Sequence, residues 1–231
     1  MSRRLVNLTL DTLEDLPRPC RQCVYWELDP VSAQRARATG DPAFEKEAWV
    51  SQTLLEWGSC GKLVYVDGMP AGFALYAPPA YTPRSMAFPT SPVSADAVLL
   101  MTAHVVTPFH GGGLGRMLIQ GVARDLTKRG IKAIEAFGNA KAGDPAPGLT
   151  DTDASLGASG GCLAPADFFL SVGFKTVRQH PKYPRLRLDL RTALSWKSDV
   201  EYALEKLLGS MSPETLLRPV RPATATRSTQ S

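Results

Sequence analysis

Excess charge, cysteine, histidine and long apolar runs are all scarce in this 231-residue chain. The formal net charge is +4, and Arg218, Arg221 and Arg227 contribute to it from the C-terminal tail. The small excess left over the rest of the chain argues against a nucleic-acid-binding surface. No run of about eighteen apolar residues occurs, so no segment is expected to span a membrane. Composition thus predicts that neither a nucleic acid nor a membrane is a partner.

Only four cysteines and three histidines occur. Four cysteines in a chain of this length do not form the disulfide framework of a small secreted protein, so reduced thiols are expected. The N-terminal stretch MSRRLVNLTLDTLEDL has early acidic residues and no apolar signal core. These features predict a cytoplasmic protein.

The pair Cys20 and Cys23 has the CxxC spacing of a metal half-site or a redox dithiol. A closed zinc site needs two further ligands, and Cys60 and Cys162 are isolated rather than paired. We therefore predict no metal. Structural thiols are the first interpretation of the pair, and a redox or metal role remains the alternative.

The residues from Val98 to Phe137 form the most structured pattern in the sequence. An apolar, β-favouring run ends near Pro108, three glycines follow, and an amphipathic helix leads to a second apolar strand. Glycines before a helix N-terminus expose main-chain amides that can bind a pyrophosphate. A P-loop is excluded because no GxxxxGK[ST] run exists, and a dinucleotide GxGxxG is excluded because Arg116 replaces its last glycine.

The run His110-Gly-Gly-Gly-Leu-Gly115, preceded by Val106-Thr-Pro108, resembles the acyl-CoA-binding motif of the GNAT superfamily of N-acyltransferases. The motif is written [QR]xxGx[GA], and Gly113 and Gly115 match it. His110 replaces the usual Gln or Arg. The resemblance implies acetyl-CoA (CoA) as the acyl donor. The residues implied as cofactor-binding are Ala103, His104, Val105, Val106, His110, Gly111, Gly112, Gly113, Leu114, Gly115, Arg116, Cys162 and Phe169.

The resemblance also implies a mixed α+β (α/β) fold. A central, mostly antiparallel, twisted sheet of six or seven strands is expected, with one splayed parallel pair and flanking helices. The GNAT-like domain is predicted over residues 1–190, with loop insertions at 78–96 and 138–161. An amphipathic helix at 191–212 and a disordered tail at 213–231 should follow.

An amine acceptor must lose a proton before it attacks a thioester, because an alkylamine is a cation at neutral pH. His104 on the central strand and Glu135 on the next are the candidate bases. A core histidine and a structural partner of a Lys or Arg are the respective alternatives.

In the GNAT plan the region after the first strand borders the acceptor site, so the resemblance makes Tyr25, Trp26 and Glu27 candidate acceptor-binding residues. Tyr81 and Arg84, in the segment before the central strand, are further candidates. Burial in the core is the alternative for the aromatic residues.

Two departures from the family pattern concern the chemistry. Phe169 replaces a tyrosine that often protonates the leaving thiolate, and Cys162 replaces an asparagine. Cys162 as a covalent nucleophile is a minor alternative. The resemblance implies an N-acetyltransferase acting by direct attack of a small-molecule or peptide amine, possible as a homodimer. The alternative is a catalytically inactive acyl-CoA-binding sensor or scaffold.

Overall fold

A computed structural model describes residues 2–141 and 162–190, which belong to one unit, Met1–Ala193. Seven strands form one sheet in the order β1-β2-β3-β4-β5-β7-β6, and all neighbours are antiparallel except β4 and β5. The predicted fold class is confirmed. The strands are β1 (Arg3–Asn7), β2 (Gly61–Val66), β3 (Met69–Ala77), β4 (Ala97–Val105), β5 (Ala133–Phe137), β6 (Lys175–Arg178) and β7 (Arg185–Asp189).

Five α-helices flank this sheet in the described part of the chain. They are α1 (Arg18–Arg21), α2 (Pro30–Thr39), α3 (Pro42–Glu56), α4 (Leu114–Lys128) and α5 (Ala166–Ser171). The sequence predicts one helix over residues 33–57, but the structure has two. Gly40 ends α2 in the left-handed region (φ 86°), and the Asp41 side chain caps α3 by accepting from the Phe44 amide at 2.9 Å.

The hairpin between β2 and β3 follows its sequence signal. Asp67 and Gly68 have φ values of 48° and 84°, as a tight two-residue hairpin turn requires. Strand β1 pairs with β2 from Arg3, two residues earlier than the apolar alternation predicts. The predicted strand order around the centre is therefore present with small shifts at the ends.

The sheet has an apolar layer on each face. One layer packs Trp26, Leu63, Phe73 and Leu99. The other packs Val98 and Leu100 against the stripe of α4 that the sequence predicts, Leu114, Leu118, Val122 and Leu126. Helix α4 can approach β1 closely because residue 121 is glycine: a Cβ there would lie 2.3 Å from Leu5 Cδ2.

The segment predicted as a loop insertion at 78–96 is folded onto the first layer. It contains two short 3₁₀ turns, Pro79–Tyr81 and Pro83–Ala87, and buries Phe88 and Val93. The helix at 191–212, the tail at 213–231 and most of the insertion at 138–161 lie outside the described residues. Within the described ranges no helix is long and apolar enough to cross a membrane.

Candidate functional site

The parallel strands β4 and β5 are paired over only three residues. The pairs are Ala97 with Ala133, Val98 with Ile134, and Leu99 with Glu135. Strand β4 continues to Val105, still paired with β3 on its other side. Across the described residues, the main chain of β4 after Leu99 therefore has no strand partner on the β5 side, and a gap opens in the sheet.

The glycine turn lies at the C-terminal end of this unpaired part of β4. Gly111 and Gly113 have φ values of 77° and 73°, so both occupy the left-handed region that other residues disfavour. Helix α4 begins at Leu114, and no side chain caps it. The first main-chain hydrogen bond into the helix is from the Met117 amide to the Gly113 carbonyl, at 3.1 Å. The amides before Met117 point out of the helix at its positive end, as an anion site requires.

Gly115 has a packing role. A Cβ at this position would lie 2.7 Å from Cε2 of Phe168, on helix α5. The second glycine of the motif therefore allows α4 and α5 to meet beside the turn.

These features form one arrangement: a mostly antiparallel seven-stranded sheet, a parallel pair that separates after three residues, and a glycine turn opening the helix between them. This is a GNAT-like arrangement. It is the one that the resemblance implies.

Solved structures similar to this chain include PaiA N-acetyltransferase from Thermoplasma acidophilum in complex with coenzyme A, at 12% identity and TM-score 0.49, covering 82% of this chain and 99% of that chain. An N-acetyltransferase from Staphylococcus aureus Mu50 has 14% identity and TM-score 0.49 over 82% and 99%. The ribosomal-protein-S18-alanine N-acetyltransferase from Escherichia coli has 13% identity and TM-score 0.43 over 82% and 94%. No protein-family model and no curated protein matches the sequence.

Two ionisable side chains near the glycine turn contact protein groups. His110 stands where the GNAT motif carries Gln or Arg, and its Nε2 lies 2.7 Å from the Val105 carbonyl oxygen at the end of β4. Arg116 donates from Nη2 to the Ser171 carbonyl at 2.9 Å, which connects α4 to the end of α5. Both remain predicted cofactor ligands, and both also fix the turn to its neighbours.

One guanidinium beside the turn is not among the predicted site residues. Arg3 on the edge strand β1 is exposed, and its Nη2 lies 3.8 Å from where a Cβ on Gly112 would be. A single arginine at the start of a strand carries no sequence signal for this role. Only the pairing of β1 beside β2 brings it to the turn.

A cavity of about 200 Å³ lies against β3 and β4, on the sheet face opposite α4. The side chains of β4 that face the cavity do not follow a simple alternation along the strand. Leu99 and Met101 face the layer that contains the cavity, and so do Thr102 and His104, because the pairing with β3 shifts between Leu75 and Tyr76. The residues lining the cavity are Pro17, Pro19, Cys20, Cys23, Trp26, Glu27, Lys46, Phe73, Leu75, Thr102, His104 and Cys162.

His104 faces this cavity as a half-buried imidazole. Its ring lies 5.8 Å from the Phe73 ring, and no hydrogen bond to either ring nitrogen is present within residues 2–141 and 162–190. Burial, and then the charge of His110, lowers the pKa of His104 below its ordinary value. The neutral imidazole with a free nitrogen is the form that can accept a proton at neutral pH.

Beside the cavity, Glu27 and Lys46 form a buried ion pair in which the Lys46 ammonium donates to Glu27 Oε1. Lys46 also donates to the Cys23 carbonyl at 2.9 Å. Burial opposes the charged form of Lys46, but the Glu27 carboxylate outweighs it, so the pKa of Lys46 is raised. The sequence analysis selected Glu27 and missed Lys46, which lies 19 residues later on the exposed-looking start of α3.

Glu135 does not line the cavity. Its fully buried carboxylate accepts from Arg185 Nη1 at 3.0 Å, Arg187 Nη1 at 3.2 Å and the Ser94 amide at 3.1 Å. Its register partner is Leu99, five residues before His104. The structure thus gives Glu135 the surroundings of the structural alternative, and separates it from His104.

The remaining candidates divide between the cavity and the core. Trp26 lines the cavity, stacks on Phe88 at 5.2 Å and donates from Nε1 to the Cys162 carbonyl at 3.3 Å. Tyr25 is buried with the Arg84 guanidinium over its ring at 4.7 Å, and burial raises the pKa of its hydroxyl. The Tyr81 hydroxyl donates to Glu56 at 3.2 Å. None of Tyr25, Tyr81 and Arg84 lines the cavity described.

Phe169 is a core residue, buried between Phe168 and Phe174 with ring centroids 5.4 and 5.2 Å away. It offers no proton to a leaving thiolate. Cys162, by contrast, lines the cavity, and its Sγ lies 3.1 Å from Cys23 Sγ. No group of three or more metal-binding side chains occurs in the described part of the chain.

Proposed function

We propose that this protein transfers an acetyl group from acetyl-CoA to a primary amine by direct attack of the amine on the thioester. One observation carries the proposal: strand β4, unpaired on its β5 side after Leu99, presents His104 to the cavity and leads directly into the glycine turn. The proposed donor site and the proposed acceptor cavity, with its candidate base, would therefore meet on one strand.

The glycine turn would hold the pyrophosphate of the coenzyme. The free amides at the start of α4 supply donors, and Arg3 adds a positive charge beside Gly112. The exposed main chain of β4, at Ala103 to Val106, would pair with the amides of the pantetheine arm. The thioester would then lie next to the cavity that His104 faces.

In the cavity, His104 would accept a proton from the ammonium form of the acceptor. The free amine attacks the thioester carbonyl, a C–N bond forms, and the C–S bond breaks with release of the CoA thiolate. Because Phe169 has no proton to give, water would protonate that thiolate. Holding amine and thioester in line supplies much of the acceleration. The acceptor is a small-molecule or peptide amine small enough to place its amino group in the cavity.

Release of free CoA thiol, followed with a thiol-reactive dye, tests the proposal. Acetyl-CoA is incubated with a panel of amines, namely polyamines, amino acids, aminoglycosides and N-terminal peptides, and products are identified by mass spectrometry. We expect one class to give both thiol release and a product heavier by one acetyl group. The protein is removed by filtration before the dye is added, because its free thiols would otherwise react with it.

A second function rests on the burial of Phe169. A protein of this fold without a side-chain proton donor could bind acyl-CoA as a sensor or scaffold. It would be stabilised by acetyl-CoA in a thermal melt and yet release no thiol with any amine of the panel. The two functions therefore differ in turnover and agree in coenzyme binding.

A further inference from the structure

The cavity contains a pair of thiols that the proposed acetyl transfer does not use. Cys23, just after α1, and Cys162, just before α5, are 139 residues apart in the chain, and their sulfurs lie 3.1 Å from each other. Both are half-buried, and both line the cavity. The sulfurs of a disulfide are about 2.05 Å apart, so a displacement of about 1 Å would join them.

The groups around this pair favour reaction at Cys23. The Cys23 and Cys162 sulfurs are within hydrogen-bond distance, with either thiol able to donate, and the Lys46 ammonium donates to the Cys23 carbonyl. The hydrogen bond from Cys162 outweighs burial and, together with Lys46, lowers the pKa of Cys23 to about 7. The same hydrogen bond and burial raise the pKa of Cys162 well above its ordinary value. The negative charge of Glu27 disfavours the Cys23 thiolate, but the ion pair with Lys46 neutralises the charge of Glu27.

The other two thiols lack these surroundings. Cys60 is fully buried in the core, and burial raises the pKa of its thiol to about 12. Cys20 lines the same cavity, but burial and the neighbouring Cys23 raise its pKa to about 11. The CxxC spacing therefore does not identify the pair: Cys23 is hydrogen-bonded to Cys162, and no such bond joins it to Cys20.

We propose that Cys23 and Cys162 form an oxidation site for hydroperoxides, in which Cys23 is the attacking thiol and Cys162 the resolving thiol. Cys23 attacks one peroxide oxygen: an S–O bond forms, the O–O bond breaks, and the departing oxygen takes a proton to become water or an alcohol. The Cys162 sulfur then attacks the resulting sulfenic acid, an S–S bond forms, and the sulfenic oxygen leaves as water with the Cys162 proton. Two thiols lose two electrons and one peroxide gains them.

Peptide mapping tests this site without any acceptor or coenzyme. The full chain is exposed to a small excess of hydrogen peroxide, quenched with an alkylating reagent and digested with trypsin. Cleavage after Arg21 separates Cys20 from Cys23, which places Cys23 in peptide 22–35 and Cys162 in peptide 142–175. We expect these two peptides joined, lighter by about 2 Da than their sum, with Cys20 and Cys60 alkylated. Thiol reductants should separate them.

Three variants sharpen the result. Cys162→Ser should leave Cys23 as a sulfenic acid that dimedone traps, Cys23→Ser should abolish peroxide consumption, and Cys20→Ser, in the same cavity, should form the disulfide at the wild-type rate. Cys23 should react at least about tenfold faster than Cys60. A link between Cys20 and Cys23, a link between two molecules, or equal oxidation of all four thiols would each overturn the proposal. Circular dichroism of each variant shows that it is folded.

Discussion

Arg185 Nη1 lies 3.0 Å from Oε2 of Glu135, a carboxylate with no exposed surface. Glu135 Oε1 accepts from Arg187 Nη1 at 3.2 Å, so each oxygen of this carboxylate has its own arginine. The two arginines lie on β7, the strand beside β5. This cluster joins the second half of the sheet and decides how Glu135 should respond to substitution.

Glu135→Gln should lower the free energy of unfolding by about 3–5 kcal/mol, because it leaves two arginines partly buried without their carboxylate. Denaturant unfolding measures this loss. Asp189→Asn, which removes only the exposed partner of Arg187 at 2.9 Å, should cost less than about 1 kcal/mol. A stable Glu135→Gln variant with lost turnover would instead make Glu135 a catalytic base.

The rise of kcat with pH on the acid side of the pH–rate profile should follow the deprotonation of His104. Because burial and His110 lower the pKa of His104, the rate should rise with pH through a value below the ordinary histidine pKa of about 6.5. His104→Gln should remove this limb and lower kcat by about 10² to 10⁴. His110→Gln removes the second cause of the shift and should move the limb upward. A limb that follows the pKa of each amine, whatever the variant, would mean that no side chain acts as the base.

Coenzyme binding should depend on charge at the glycine turn. Gly113→Glu places a carboxylate where the phosphates would lie and should abolish the stabilisation by CoA in a thermal melt. Gly113→Ala carries the same left-handed strain, of about 1–2 kcal/mol, without the charge, and should retain a reduced CoA shift. Gly40→Glu introduces both changes at the end of α2, where φ is 86°, and should lower stability alone. If CoA raised the melting temperature equally in all three variants, the glycine turn would not be part of the coenzyme-binding site.

Arg3→Gln should weaken CoA binding about twofold to fivefold at low salt, the effect expected for one exposed ionic contact. The difference from wild type should shrink as salt is added, because exposed charges are screened. Arg4→Gln is the matched control. Arg4 is the next residue on β1, but its guanidinium lies over the Tyr65 ring at 4.9 Å. An identical effect of both variants in a titration would indicate a general charge effect.

Alkylation of Cys23 should accelerate with pH through about 7, because the thiolate is the nucleophile and the hydrogen bond from Cys162 lowers its pKa to that value. Cys20, in the same cavity, should show its rise only near 11. Rates are measured by mass spectrometry on separate tryptic peptides. In Cys162→Ala the Cys23 limb should move upward, since alanine cannot donate a hydrogen bond to the thiolate. A Cys23 limb near its ordinary value in the wild type would contradict the geometry.

The sequence predicts most of the sheet and helix α4, because the period of apolar residues and the positions of glycines depend on the local backbone conformation. It places the helix from 33 to 57 as one element, since apolar residues continue across the break at Gly40 and Pro42. It does not predict the shift in pairing that brings both Met101 and Thr102 to one face of β4. Side-chain direction after such a shift depends on the neighbouring strand.

The other features that the sequence does not predict depend on contacts between residues distant in the chain. Glu135 could be a base or a structural acid by sequence, and only the pairing of β5 with β7 brings Arg185 and Arg187 to it. Cys23 and Cys162 carry no common motif across 139 residues. The position of Arg3 beside the turn likewise depends on the sheet as a whole.

The short ladder between β4 and β5 gives the sheet an edge in its interior. An ordinary edge strand exposes its main chain to any passing strand and so invites association between molecules. Here the open edge of β4 lies inside the sheet, on the side of β5, and not at the outer rim. A ligand that carries its own amide groups and enters the gap would pair with this edge as a strand does. Binding of such a ligand would then cover main-chain groups that charge or proline covers on an ordinary edge strand.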